Sequence, residues 1–519
     1  MRRIASAVRP RFARAVRTAK PQATRLISTV RPLLADLPRP RSLSTLQYTA
    51  GAATAGLVLA AGVVTLAGPW DATGQRTAER DRATALEHAR GADHGPGRGP
   101  AAGPRPAPSA GAVLAGLGPA TSPVDTRQAP AAGGTALADV LGPLLGSAAL
   151  GEGHTAVVVD AATGKRLYGV DPDKGLTPAS TTKLATATAA LNALGPDHRF
   201  TTRAALLGGT RELVLVGGGD PTLTARAKSG GWASLRTLAT RTARTLRERG
   251  IHKIALSYDT SLFTGPALHP IGVNDNLAPV SSLVADEGRT DDSTSGPVRR
   301  VADPAKDAAR KFAGFLKAAG VDTTGPAPAK GTDHAETVAS VSSPPLSALV
   351  ERMLTYSDND IAEALARQTA LAAGQPADFG GGAKAIAAQL RKLGLPLTGT
   401  SFHDGSGLDR ADRVTADLLT AILVEAGTPA HPGLRPLLTG LPIAHFTGTL
   451  TSRYADGAAG LVHAKTGTLT GVNTLAGTVV DQDGRLLAFA FLASGTTDPM
   501  AAQAALDRTA TALAACGCG

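Results

Sequence analysis

Cysteine is almost missing from this 519-residue chain: two occur, Cys516 and Cys518, both within the last four positions. They cannot staple a core, and no further cysteine exists to complete a zinc site. A one-residue gap disfavours an unstrained disulfide between them, so this end reads as a frayed tail. Aromatic residues are scarce as well, 3% against 43% hydrophobic residues overall. That favours helices packed through small side chains and carries little chemical information. Acidic charge is missing from one end: the first 41 residues hold eleven Arg or Lys and a single acid, Asp36. Nearly all of the formal net charge of +11 therefore sits there, and the near-neutral remainder gives no support to a nucleic-acid-binding catalytic domain.

Charge of either sign is absent from the next 29 positions, between Arg41 and Asp71. Within them the stretch from Leu46 to Gly68, with the apolar run Leu57 to Val64, is long enough to cross a bilayer, for which roughly 20 residues are needed. The basic flank before it and the nearly neutral one after it put the N-terminus in the cytoplasm and the bulk of the chain outside. A cleaved signal peptide is the competing reading, disfavoured by the length of the basic region and of the apolar segment. The expectation is a basic cytoplasmic tail over 1–45, a transmembrane signal-anchor over 46–68 and an Ala/Gly/Pro-rich linker over 69–134. The chain would be a single-pass protein of the cell membrane, with a cleaved, secreted form as the alternative.

Globular patterning begins near Thr135. Thr155 to Asp160 and Arg166 to Val170, joined by a turn at Ala162–Lys165, read as a β-hairpin. Strand candidates follow at Leu213–Val216 and Lys253–Leu256, and helix candidates at 232–249 and 303–319. The pattern turns helical again from Leu346 and closes with strand candidates 475–480 and 486–493 before a last helix. No internal repeat is present. These signals divide the folded part into a first core segment over 135–200, an αβ insertion over 201–342, a second core segment over 343–515 and a tail over 516–519.

Three short motifs carry chemistry. In Pro178-Ala179-Ser180-Thr181-Thr182-Lys183, leading into Leu184 to Leu191, the pattern predicts a helix whose first turn contains Ser180. Positions i and i+3 share a helix face, so Lys183 can approach the Ser180 hydroxyl. A lysine with its pKa lowered by burial could take that hydroxyl's proton. Alone, the pair reads more readily as a Ser N-cap with a solvated lysine one turn on. Tyr356-Ser357-Asp358-Asn359 precedes a helical stretch and can present a hydroxyl and a carboxamide to a cleft, or serve only as a helix cap. His463-Ala464-Lys465-Thr466-Gly467-Thr468 alternates as a strand. There Lys465 and Thr466 suit a carboxylate, and Gly467 permits close backbone approach. A solvated edge strand is the plain alternative.

Ser-x-x-Lys, Ser-Asp-Asn and Lys-Thr-Gly in that order form the signature set of penicillin-binding proteins and class A β-lactamases. Two further stretches, Gly217-Gly218-Gly219-Asp220-Pro221-Thr222-Leu223 and Asp404-Gly405-Ser406-Gly407-Leu408, narrow the likeness. The sequence resembles the D-alanyl-D-alanine carboxypeptidase/endopeptidase family related to penicillin-binding protein 4, the S13 peptidases, over about residues 136–510. The long gap between Lys183 and Ser357 matches that family's insertion. In place of the Ser that often follows Leu408 in the family stands Asp409.

The resemblance implies an α/β fold, a transpeptidase-like core of antiparallel sheet flanked by helices, with the insertion as a separate lobe. It implies hydrolysis of D-Ala-D-Ala peptide stems of peptidoglycan, with β-lactams as covalent inhibitors. Ser180 would be the nucleophile, Lys183 its general base and Ser357 the proton relay. Asn359, Lys465, Thr466, Gly467 and Thr468 would bind substrate, and the backbone N–H groups of Ser180 and Thr468 would form the oxyanion hole. It calls for neither metal nor cofactor, and no nucleic acid. Other readings are a β-lactamase and a non-catalytic cell-wall-binding protein of the same fold; the long insertion speaks against the first, the intact motifs against the second. The glycine run 217–219 lacks the Gly-Lys-Ser/Thr of a phosphate loop and reads as a turn. The loop 404–408 reads as a structural turn near the cleft, with a polar group contributed to the site as the alternative, and the eleven histidines show no helical metal-ligand spacing.

Overall fold

The computed structural model describes residues 134–329, 335–454 and 457–517. The basic tail, the proposed anchor at 46–68, the linker up to residue 133 and Cys518 lie outside the described residues. Among those described, no helix is long and apolar enough to cross a membrane.

Two sheets organise the chain. The first is antiparallel throughout and is built from both ends of the folded part: β1 (Gly153–Asp160), β2 (Arg166–Val170), β8 (Val462–Leu469), β9 (Val472–Val480) and β10 (Leu486–Ser494), in the order β2-β1-β10-β9-β8. Side chains alternate across a strand. Val157 and Val159 accordingly join the core formed by α2 (Thr182–Leu194), α5 (Leu346–Tyr356), α6 (Asn359–Ala372), α7 (Phe379–Lys392) and α8 (Ala416–Gly427). Ala156 and Val158 join the opposite core, under α1 (Gly134–Leu145) and α9 (Pro499–Ala514). Both faces are covered, which is why β1 and β10 read as continuous apolar runs rather than as alternating ones. Each Leu or Phe buried in these layers contributes roughly 1.5–3 kcal/mol.

The second sheet lies wholly between Thr201 and Ser342. It comprises β3 (Thr201–Leu207), β4 (Glu212–Val216), β5 (Lys253–Asp259), β6 (Asp322–Pro328) and β7 (Ala335–Ser342), ordered β6-β5-β4-β3-β7. The β4–β5 and β5–β6 pairs are parallel, the others antiparallel. Helices α3 (Leu235–Glu248) and α4 (Pro304–Ala318) cover it with a separate apolar core. Each helix starts where a side chain accepts a free N–H: Ser234 from Thr237, and Asp303 from Lys306.

At the C-terminal end the described residues stop at Gly517. Cys516 is 8% exposed and packs with Leu513 in the core under α9.

Candidate active site

Helix α2 is buried through Thr182–Leu191, packed among α5, α6, α7 and α8. A short 3-10 turn, Ala179–Thr181, leads into it, so Ser180 sits one turn ahead of the α-helix and Lys183 occupies the helix's first turn. Ala179 enters with a positive φ of 49°, a left-handed backbone that non-glycine residues adopt at a cost. Lys183 has no exposed surface, and its Nζ donates to Ser180 Oγ at 3.0 Å, Asn359 Oδ1 at 2.7 Å and the Ser406 carbonyl at 2.7 Å. Burial pushes its pKa down to about 8, against the opposing pull of the Asp404 and Glu363 carboxylates.

The Ser-Asp-Asn motif fills the break between α5 and α6. Ser357 ends α5 in the left-handed region at φ 58°, and Asp358 caps α6 by accepting the Ile361 N–H at 3.0 Å. The tight reversal faces Ser357 and Asn359 into one cleft. Asn359 is held at both ends of its amide: Oδ1 accepts from Lys183, and Nδ2 donates to the Asn276 carbonyl of the insertion at 3.0 Å.

Strand β8 is the sheet edge and brings the third motif. Lys465 is fully buried and donates to Ser357 Oγ at 2.9 Å and to the Thr466 carbonyl at 2.7 Å. Burial, with the Lys183 charge nearby, drives its pKa well below the ordinary lysine value. The Thr466 hydroxyl meets that of Thr449 at 2.8 Å. Gly467 lies against the Ser180 turn, where a Cβ would come within 2.7 Å of the Pro178 carbonyl oxygen and 3.1 Å of Ser180 N. Ser180, Asn276, Ser357, Asn359, Leu408 and Thr468 line one cavity of about 260 Å3, whose wall also includes Arg289 and Arg300 from the insertion. The structure thus brings together all the residues singled out in the sequence: Ser180 with Lys183 and Asn359, Ser357 with Lys465, and Thr466, Gly467 and Thr468 along the same strand.

Several residues at the site escaped the sequence. The loop Asp404–Leu408, read chiefly as a turn with a polar contribution as the alternative, supplies the Ser406 carbonyl to Lys183. Glu363 stands behind that loop in α6 and accepts from Ser406 N at 2.8 Å and Gly405 N at 3.1 Å. In sequence it is one polar residue in a helix and resembles a solvated side chain. His269 reaches Asp404 from the insertion, and His269, Glu363 and Asp404 bring their ligand atoms within 4.8 Å of one another. Their spacing along the chain carries no signal, because the contact is made only by folding. These groups are engaged by each other and by peptide N–H donors, the arrangement of a hydrogen-bonded brace.

A hydroxyl beside a buried amine of lowered pKa, a second hydroxyl on a second buried lysine, and an antiparallel sheet with helices on both faces define a serine acyl-transfer enzyme of the transpeptidase-like fold. The chain belongs to the D-Ala-D-Ala carboxypeptidase 3 (S13) family, whose profile matches residues 138–296 and 290–514. It is 38% identical over 418 residues to carboxypeptidase DacB of Mycolicibacterium smegmatis, covering 77% of this chain and 88% of that one. A carboxypeptidase of Mycobacterium tuberculosis is 36% identical over 435 residues, 80% of this chain and 90% of the relative. Among solved structures, penicillin binding protein 4 of Haemophilus influenzae aligns with a TM-score of 0.58 at 22% identity, covering 73% of this chain and 97% of that one. This last likeness concerns the fold.

Proposed function

We propose that this protein, a serine-type D-Ala-D-Ala carboxypeptidase by family, cleaves peptidoglycan peptide stems through an acyl-enzyme on Ser180. The observation that carries the assignment is Lys183 Nζ, sealed from water and 3.0 Å from Ser180 Oγ, with its pKa lowered to about 8. Neutral Lys183 takes the Ser180 proton as Oγ attacks the carbonyl carbon between the two D-alanines. The backbone N–H groups of Ser180 and Thr468, at the lip of the cavity, receive the developing oxyanion; losing one such donor typically costs on the order of a hundredfold or more in rate.

Ser357, hydrogen-bonded to Lys465, passes a proton to the departing D-alanine amine. Lys465 and the Thr466 hydroxyl draw the terminal carboxylate. Asn359 Nδ2 holds the substrate amide once the substrate carbonyl replaces that of Asn276. Water then attacks the ester on Ser180 and regenerates the serine. β-Lactams enter by the same attack, as the solved complex of the Haemophilus influenzae relative with a β-lactam suggests by analogy of fold. An endopeptidase reaction follows the same course, with a neighbouring stem in place of D-alanine as the leaving amine.

The test is to incubate the full-length chain with a fluorescent penicillin beside Ser180→Ala, and to assay D-alanine release from a peptide ending in D-Ala-D-Ala. Wild type is expected to gain one covalent adduct and release D-alanine, and S180A to do neither. An adduct on S180A would sink the assignment of the nucleophile.

We also propose that 46–68 anchors the chain in the cell membrane, with its N-terminus in the cytoplasm and the catalytic part outside. The uncharged stretch and the basic flank before it support this. Release of the full-length protein from membranes by alkaline carbonate would overturn it.

A further inference from the structure

His269 takes no direct part in the acyl transfer, yet its side chain is 1% exposed and is supplied by the insertion. Its Nε2 meets Asp404 Oδ2 at 3.0 Å, and its Nδ1 faces the Ile271 N–H at 3.2 Å, which favours the tautomer with the proton on Nε2. Burial alone would lower the imidazole pKa, but the Asp404 hydrogen bond and the charges of Glu363, Asp404 and Asp409 hold it above its ordinary value. The Nε2–H bond to Asp404 exists in either protonation state, and that bond matters here. The ring of Phe379 packs edge-on against the imidazole, with centroids 5.1 Å apart. The segment carrying His269 is itself fixed to the core: Arg367 in α6 donates to the Thr264 carbonyl at 2.9 Å and to the Pro266 carbonyl at 2.7 Å.

Asp404 passes this constraint on. Its Oδ1 accepts from Gly407 N at 2.6 Å, and its Oδ2 from Asp409 N at 2.8 Å and Ser406 Oγ at 3.2 Å. Glu363 takes the N–H groups of Gly405 and Ser406 from the other side. The loop is therefore clamped between α6 and the insertion, with the Ser406 carbonyl aimed at Lys183 Nζ. It also presses on the serine turn and α2. Thr186 Oγ1 donates to the Gly405 carbonyl at 2.6 Å, and Gly407, at φ +81°, lies so close that a Cβ would sit 1.9 Å from the Ala179 carbonyl oxygen. A shift of this loop moves the seat of Lys183 and that of Ser180 together.

Resting on the reading of Lys183 as the base for Ser180, we infer that His269 is a positioning residue for acylation. It ties the insertion to Asp404 and thereby holds the Ser406 carbonyl, and with it Lys183 Nζ, in place against Ser180. The insertion is then a working part of the catalytic centre.

Two variants of similar polarity separate this from a packing role. In His269→Gln the side-chain N–H can extend to the position of Nε2; in His269→Asn it stops at the near half of the ring. Both are made in the full-length chain and acylated with a fluorescent penicillin, with non-covalent binding and the limiting acylation rate measured separately. H269N is expected to lower the acylation rate by about tenfold to a hundredfold, as displacements of about 1 Å near reacting groups do. Its non-covalent binding stays unchanged, and H269Q stays near wild type. Wild-type rates in H269N overturn the inference, as do equal losses in both variants or a loss confined to binding. Should H269N fail to give a cooperative melt, Asp404→Asn, which keeps the volume and removes an acceptor, is expected to show the same fall in rate; a wild-type rate there overturns the inference. Failure of the underlying reading looks different: wild type itself would not be acylated, or Lys183→Met would acylate as fast as wild type.

Discussion

Three acceptors meet the Nζ of Lys183, and none of them is a carboxylate. The amine is held by a hydroxyl, an amide and a carbonyl while burial lowers its pKa from 10.5 to about 8. As a base it must be neutral, so the acylation rate of wild type is expected to rise with pH through about 8 and level off above, read from stopped-flow acylation across pH 6–10. Stability should follow the same titration. Between about 8 and 10.5 the unfolded lysine keeps its proton and the folded one does not, so folding gains with rising pH in that window. Denaturant melts at pH 8 and 10 should show this gain in wild type and less of it in Lys183→Met. Glu363 provides a control of sign. Its carboxyl is pushed up to about 7 by burial and by the Asp404 charge, and when ionised it holds the Lys183 pKa up. Glu363→Gln keeps an acceptor for Ser406 N and removes the charge. Its acylation profile should therefore shift to lower pH than that of wild type, and an upward shift would contradict the electrostatic reading.

At the scale of elements, the site depends on how closely β8 approaches the serine turn. Gly467 stands opposite Thr474 in the β8–β9 ladder, with the Pro178 carbonyl within reach of any added Cβ. The buried Thr474 hydroxyl is itself bonded to that carbonyl at 2.8 Å, and the carbonyl belongs to the backbone, so neither gives way freely. Gly467→Ala should push β8 away from Ser180, costing about 1–3 kcal/mol as overpacking does. It should slow acylation more than it weakens non-covalent binding. Unchanged melting and acylation would show that the two elements can part freely. The same closeness explains what was readable beforehand. The Ser-x-x-Lys, Ser-Asp-Asn and Lys-Thr-Gly triplets each lie within one turn or strand, so local pattern exposes them, as it does β1, β2, β9, β10 and α4, whose apolar periodicity is strong. β6 and β7 gave no such signal: Asp322–Pro328 contains two prolines, and both strands are sheet edges with mostly exposed or half-exposed side chains. His269, Asn276 and Glu363 escaped for a different reason. Each acts through a partner far along the chain, and a single polar residue in a loop or helix leaves no periodic trace.

Across the whole folded part, the apolar cores of the two sheets are separate, and the insertion meets the catalytic helices through a small apolar cluster, Phe263, Leu277 and Val280 with Ala364 and Ala377, flanked by buried polar contacts. Arg300 of the insertion, 4% exposed, donates to Asp360 Oδ2 at 2.9 Å, while its Nε and Nη1 meet no acceptor among the described residues. Asp360 follows Asn359 at the start of α6, and its other oxygen accepts the Ala278 N–H at 2.9 Å. A buried pair of this kind is costly to break from one side, about 3–5 kcal/mol, and much less so when both charges are replaced. Arg300→Met should therefore destabilise the protein strongly at pH 8, where Asp360, ionised in wild type, must either stay charged without its partner or take up a proton against the pH. The loss should be smaller at pH 5, since burial already holds the Asp360 pKa up at about 7 and the carboxyl can take a proton there. Combining Arg300→Met with Asp360→Asn should recover most of the loss, with the coupling read from a double-mutant cycle of denaturant melts. The damage should also be local. Limited proteolysis of Arg300→Met should speed up between Phe263 and Pro304, where the insertion crosses the catalytic cleft, while hydrogen exchange in β9 and β10 stays protected. Uniform loss of protection across both sheets would instead mean that the two cores unfold as one unit, and that the seam between them is no weaker than either core.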